Sequence, residues 1–114
     1  MQPRELKSLL DMLNAAKLAQ DFVADINWDM FEFDLMRQAA VTRQLEIIGE
    51  AARRISSETQ ATILDIPWSK IIGMQNRLAH EYDDLDLETL WDTIQLALPE
   101  LIAVLETSTA AEEI

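Results

Sequence analysis

The chemistry available to this chain near neutral pH is concentrated in Gln75-Asn76-Arg77-Leu78-Ala79-His80-Glu81-Tyr82, which holds its only histidine and its only tyrosine, two positions apart. Imidazole, with an unperturbed pKa of about 6.5, is the side chain that both gives and takes a proton at physiological pH. His80 is therefore the candidate acid/base. Asn76 lies one helical turn before it, placed to hydrogen-bond a ring nitrogen or a phosphate oxygen, and Arg77 supplies the positive charge that a phosphoryl transition state needs. The set suits RNA cleavage without a metal, a histidine helping the 2′-hydroxyl attack the adjacent phosphate. One histidine without a close acidic helical pair is a poor ligand set, so no metal and no other cofactor is expected.

Each of these residues also has a plainer reading. A lone histidine at a helix end is ordinarily a capping or solvated residue, because its charged form suits the negative end of the helix dipole. Tyr82 alone reads as a core-edge aromatic, Arg53-Arg54 as a solvated helix face, and Glu46, Glu50 and Glu58 as surface charges.

The octapeptide must sit on a helix. At about 100° per residue, Trp68, Ile71, Ile72, Leu78, Ala79 and Tyr82 form one stripe that faces or begins the core. Ser69, Gly73, Asn76 and His80 form a second, small and polar stripe about a quarter turn away. A mid-helix glycine costs about 1 kcal/mol relative to alanine, so Gly73 points to another backbone approaching this face. The simplest candidate is a second copy of the chain, with Ser69 and Gly73 on the dimer face and His80 of both protomers at one groove.

The rest of the chain supplies that helix with partners. Leu6, Leu9, Leu10, Leu13, Ala16, Phe22, Val23 and Ile26 recur at helical spacing and predict a first helix from Arg4 to about Ile26. After the break at Asn27-Trp28-Asp29, a second long helix starts near Asp29 or Asp34 and ends at Ile55, forming an antiparallel hairpin with the first. Ser56 or Ser57 caps a short third helix that ends near Leu64. Pro67 suits the first turn of a fourth, about Pro67 to Glu81. Asp86 is the cap of a last helix through Leu90, Ile94, Leu98, Leu101, Ile102 and Leu105, kinked at Pro99. Residues 1–107 then form one domain, and residues 108–114 a flexible, frayed tail.

Composition agrees with this plan and narrows the partners. Two glycines and three prolines in 114 residues, with 49% hydrophobic residues, favour few and long helices. A net charge of −12 is the opposite of the broad basic footprint of a DNA duplex binder. It leaves room for a local cluster such as Arg53, Arg54 and Arg77 to neutralise a short RNA strand, weakly and with salt sensitivity. The absence of cysteine excludes disulfide and thiolate chemistry. No signal-peptide core opens the chain and no apolar run approaches the ~20 residues of a membrane span, so the expected compartment is the cytoplasm.

The motif and its surroundings resemble the HEPN superfamily, specifically its HepT-like toxins, whose signature is arginine, four residues, histidine, one residue, tyrosine. The resemblance extends through Arg43 to Ala52, Ile66-Pro67-Trp68, Ile71-Ile72-Gly73-Met74, Asp86-Leu87-Glu88, Trp91 and Leu98-Pro99-Glu100-Leu101, covering essentially Leu6 to Leu105. It implies an all-α antiparallel bundle of four to five helices that dimerises and acts as a metal-independent endoribonuclease in a cleft shared between protomers. It further implies the toxin half of a type VII-like toxin–antitoxin system. The partner would be a minimal nucleotidyltransferase antitoxin that transfers AMP to Tyr82, placing a bulky anion beside His80.

One position departs from the family pattern. The motif arginine falls on Gln75, which donates hydrogen bonds but carries no charge, so a stabiliser of the pentavalent phosphate is missing. Arg77 projects roughly 160° away around the helix and substitutes only in part. The departure implies weakened or lost activity. The alternative reading is a non-enzymatic helical module that binds a nucleotidyltransferase partner through its acidic surface.

Overall fold

The computed structural model describes residues 1–80 and 86–113 of the chain, with the side chains of residues 80 and 113 left outside the description. The described residues form helices joined by turns, without strands. In order they form α1 (Pro3–Asp21), α2 (Trp28–Phe31), α3 (Leu35–Arg53), α4 (Ser57–Thr62), α5 (Trp68–His80), α6 (Leu87–Asp92), a π-helical turn (Thr93–Ala97) and α7 (Leu98–Glu113).

Helices α1, α3, α4 and α6 start where the sequence supplies an acceptor or a proline. Pro3 opens α1, where its missing N–H costs nothing. The Asp34 carboxylate accepts from the Arg37 N–H at the head of α3, Ser56 Oγ accepts from the Thr59 N–H at the head of α4, and Asp86 accepts from the Glu88 N–H at the head of α6. The break between the first two long helices is wider than the sequence reading placed it. α1 ends at Asp21, a run of turns follows, and Asn27 caps the single-turn α2 before Asp34 starts α3.

α1 and α3 lie antiparallel, because Glu5 near the start of α1 bonds to Ser56 just after α3, while Asp25 just after α1 pairs with Arg37 in the first turn of α3. α3 packs in turn on α5, and α7 returns along α1. Their shared core contains Leu9, Met12, Ala16, Val41, Leu45, Ile48, Ala52, Ile94, Leu98 and Leu105, all buried. Burying side chains of this size contributes about 1.5–3 kcal/mol each before the entropy of ordering is counted. Trp28, Phe31 and Trp91 close one end, with the Phe31 and Trp91 ring centroids 5.0 Å apart.

Two expectations for the last helix change. Before Pro99 the regular α-helix is interrupted by a π turn over Thr93–Ala97, so the break expected at the proline takes the form of a wider turn. Proline has no N–H to offer the preceding turn, and a wider i→i+5 turn accommodates the lost bond. Beyond Glu106, where the sequence reading ended the helix, α7 continues to Glu113. Thr109 there is buried, and its hydroxyl donates to the Leu105 carbonyl at 2.8 Å, satisfying the polar group inside its own helix. No helix among the described residues is long and apolar enough to cross a membrane.

Candidate active site

α5 is held at both ends of its described length. The Trp68 indole N–H donates to the carbonyls of Gln60 and Ile63, fixing the start of α5 against the end of α4, while Leu78 is buried in the core near the other end. Trp68, Ile71 and Ile72 are half-buried as the apolar stripe requires, but Ala79 on the same stripe is exposed. Ser69, Gly73 and Asn76 line one open groove with Leu64, Trp68 and Ile72. The polar stripe read from the sequence is therefore a continuous surface up to Asn76. His80 ends α5, and Tyr82 lies outside the described residues.

Gly73 has no close neighbour within the described part of its own chain, which leaves the expected approach of a second copy untested. A Cβ built there meets no heavy atom of the described residues within 4 Å outside its own helix backbone, whereas one built on Gly49 of α3 would fall 2.6 Å from Gln75 Cγ, closer still to Gln75 Cβ, and 3.3 Å from the Ile71 carbonyl oxygen. The close helix–helix approach within the chain is thus at Gly49. It lets the α3 backbone sit directly against the Gln75 side chain.

The contact brings a guanidinium to the motif. Arg53, one turn after Gly49 on α3, donates from Nε to Gln75 Oε1 at 2.9 Å and from Nη2 to Asn76 Oδ1. Both acceptors are neutral amide oxygens. Asn76 is therefore engaged across the helix pair, and Gln75 faces α3 rather than the Ser69 groove. Arg77 is exposed on another side of α5. Arg53 also lines a second open groove together with Arg4, Arg54, Glu5, Ser56 and Glu58. Sequence reasoning gave Arg53 both a solvated-face reading and a place in an anion-binding cluster; its helix pattern carries no sign of the contact 22 residues away, and Gly49 was missed for the same reason.

Glu5 is the other group that the sequence did not reveal. Its side chain is buried, and its carboxylate accepts from the Ser56 N–H at 2.7 Å and from Thr59 Oγ1 at 3.1 Å. The backbone N–H of Ser56 is the largest influence holding its pKa below the ordinary carboxylate value. Glu5 thereby fastens α1 to the start of α4 beside the Arg53 groove. Glu46 and Glu50 both pair with Arg43 on the surface, as helix-face charges do. No three acidic or histidine side chains among the described residues converge as a metal site would require.

Comparison with known proteins finds a family and several relatives that this chain resembles. Residues 12–108 match the profile of the family described as ribonuclease HepT-like. A protein of Methanocaldococcus jannaschii, provisionally named as an RNase, is 34% identical over 102 residues, which cover 89% of this chain and 94% of the relative. A Thermococcus cleftensis protein named "Probable ribonuclease HepT" is 36% identical over 93 residues, 82% of this chain and 84% of that one. A further relative from Caldanaerobacter subterraneus subsp. tengcongensis, also provisionally named as an RNase, is 37% identical over 79 residues, 69% of this chain and 70% of its own length. No solved structure is a significant match.

Proposed function

The chain belongs to the ribonuclease HepT-like family, and on that footing we propose that it is the toxin of a two-component system, a homodimeric endoribonuclease that cuts RNA without a metal. The observation that carries this reading is that the family match spans the Asn76, His80 and Tyr82 motif, whose Asn76 lies on the open polar face of α5. In the reaction His80 takes the proton of a ribose 2′-hydroxyl, and the 2′-oxygen forms a bond to the adjacent phosphorus. The bond from phosphorus to the 5′-oxygen breaks, and that oxygen leaves with a proton from the partner subunit's His80. The products are a 2′,3′-cyclic phosphate and a 5′-hydroxyl end. General acid–base catalysis of this kind is worth about 10²–10⁴-fold.

Dimerisation is supported by the groove along α5. Leu64 is 82% exposed at its edge, and the open space over Gly73 leaves a second backbone free to approach. A second copy related by a two-fold axis would bring both His80 side chains to one cleft. Tyr82 is the proposed site of adenylylation by a minimal nucleotidyltransferase antitoxin, since a phosphate diester two residues from His80 would repel RNA.

The alternative is a non-enzymatic module that binds the nucleotidyltransferase, favoured by the uncharged Gln75. Cleavage of single-stranded RNA and growth arrest, measured for the chain, for Gln75→Arg and for His80→Ala, separate the two. The ribonuclease reading expects activity that Gln75→Arg leaves or raises and that His80→Ala removes. Inertness of the chain and of Gln75→Arg, with stable association to the nucleotidyltransferase, establishes the module instead.

A further inference from the structure

We propose that Arg53, at the end of α3, is the phosphate-binding group of the site and replaces the charge that the motif lacks at Gln75. The inference rests on the ribonuclease reading above and adds to it the residue that holds the scissile phosphodiester.

The geometry assigns each edge of the guanidinium. Arginine carries five N–H donors in a planar fork. Arg53 directs Nε and one Nη2 hydrogen at the amide oxygens of Gln75 and Asn76, which occupies one edge and leaves the Nη1–Nη2 edge unused by them. That free edge carries two roughly parallel N–H donors, enough to bind two phosphate oxygens at once. The occupied edge meets only neutral groups, so the side chain is oriented without its charge being neutralised. Among the described residues no carboxylate pairs with Arg53, while Lys7, Lys17, Arg37 and Arg43 are all ion-paired.

Gln75 and Arg53 thereby divide the role of one motif arginine. An arginine at position 75 would offer Arg53 no acceptor and would set two guanidinium groups side by side. Glutamine offers the acceptor, and the charge comes from α3. The placement is firm because Gln75 rests on the Gly49 backbone one turn earlier on the same helix. The second groove lined by Arg53 adds Arg4 and Arg54, which lets a strand continue past the bound phosphate. Glu5 in that groove is already engaged by Ser56 and Thr59, and Glu58 is exposed at its edge.

The test uses the full chain and a short single-stranded RNA. Binding of its 2′-O-methyl form, which cannot be cleaved, is followed across salt concentration, and cleavage of the unmodified form is timed. Arg53→Gln is expected to reduce the slope of log affinity against log salt by about 0.7 per lost phosphate contact. It should slow cleavage on the order of 10²-fold or more. In a Gln75→Arg background, where position 75 carries the charge, Arg53→Gln should cost less than about tenfold. The same loss in both backgrounds, or an unchanged salt slope, overturns the proposal. A reduced slope with no cleavage by any variant, Gln75→Arg included, upholds the phosphate contact and overturns the ribonuclease reading instead.

Discussion

The two glycines of this chain make a controlled comparison, because alanine at each should change stability in opposite directions. Both lie within helices, so each Gly→Ala change gains about 1 kcal/mol of helix propensity. At Gly49 the new methyl falls 2.6 Å from Gln75 Cγ and nearer to its Cβ, where ordinary carbon contacts are about 3.5–4.0 Å. Gln75 Cβ is fixed to the α5 backbone, so rotamer change cannot clear it and the two helices must part by roughly 1 Å. Overpacking on this scale costs about 1–3 kcal/mol, and the upper end applies because two atoms of a helix partner are struck. The net is a loss of about 2 kcal/mol, or about 8 °C in the unfolding midpoint at ~4 °C per kcal/mol for a domain of this size. At Gly73 the new methyl meets no atom of the described residues within 4 Å outside its own helix backbone, so alanine there should raise the midpoint by about 4 °C in dilute, monomeric protein. Thermal unfolding followed by circular dichroism measures both. A gain at Gly49 equal to that at Gly73 would refute the argument, since it would mean that α3 and α5 do not touch at Gln75.

Two further outcomes follow from contacts in the structure, and a third from the proposed function. The lowered pKa of Glu5 means that the folded state binds its proton more weakly than the unfolded chain does. Its contribution is therefore full above the ordinary carboxylate pKa of about 4.3 and is lost as pH falls through the lower folded value; Glu5→Gln should flatten the acid limb of a stability-against-pH curve, and an unchanged limb would count against it. Asp34→Ala removes the cap of α3 and the Arg37 partner and should cost about 1 kcal/mol in a denaturant titration, with no change marking a cap that water replaces. Co-expression with the nucleotidyltransferase and ATP should add the mass of an adenylyl group to the intact chain, and Tyr82→Phe should abolish the addition; a Phe variant that still gains it would place the modification elsewhere.

Local signals in the sequence located the helices well. Periodic apolar residues and capping side chains act within a few positions of themselves, and Asp34, Ser56 and Asp86 start helices where their side chains can accept an N–H. The misreadings occurred where a contact spans many residues. Gly73 suggests an approach by a second copy because its own helix face is small and polar, and that reading says nothing of the approach within the chain. Gly49, in an ordinary apolar helix, meets a side chain 26 positions later. Arg53 next to Arg54 looks like any solvated helix end until α5 is packed against α3. Glu5 reads as a first-turn acid suited to the helix dipole, and nothing near it in sequence shows that it reaches Ser56 and Thr59. The π turn before Pro99 is a local effect: the proline marks where the helix must adjust, but not that the adjustment is a wider turn.

The acidic composition and the proposed RNA substrate are reconciled by distance. At physiological ionic strength the Debye length is about 8 Å, so carboxylates on the far side of a molecule 42 Å long contribute little to the potential at one end. A phosphate in hydrogen-bond contact with Arg53 lies well inside that length. The ion-paired cations Lys7, Lys17, Arg37 and Arg43 neutralise local acids, while Arg4, Arg53 and Arg54 line a common groove. Net charge therefore opposes long, sequence-independent tracking along a nucleic acid, yet permits a short grip at one place. The charge has to come from a residue anchored by neutral groups, because a carboxylate partner would cancel it, and the amide side chains of Gln75 and Asn76 meet that requirement.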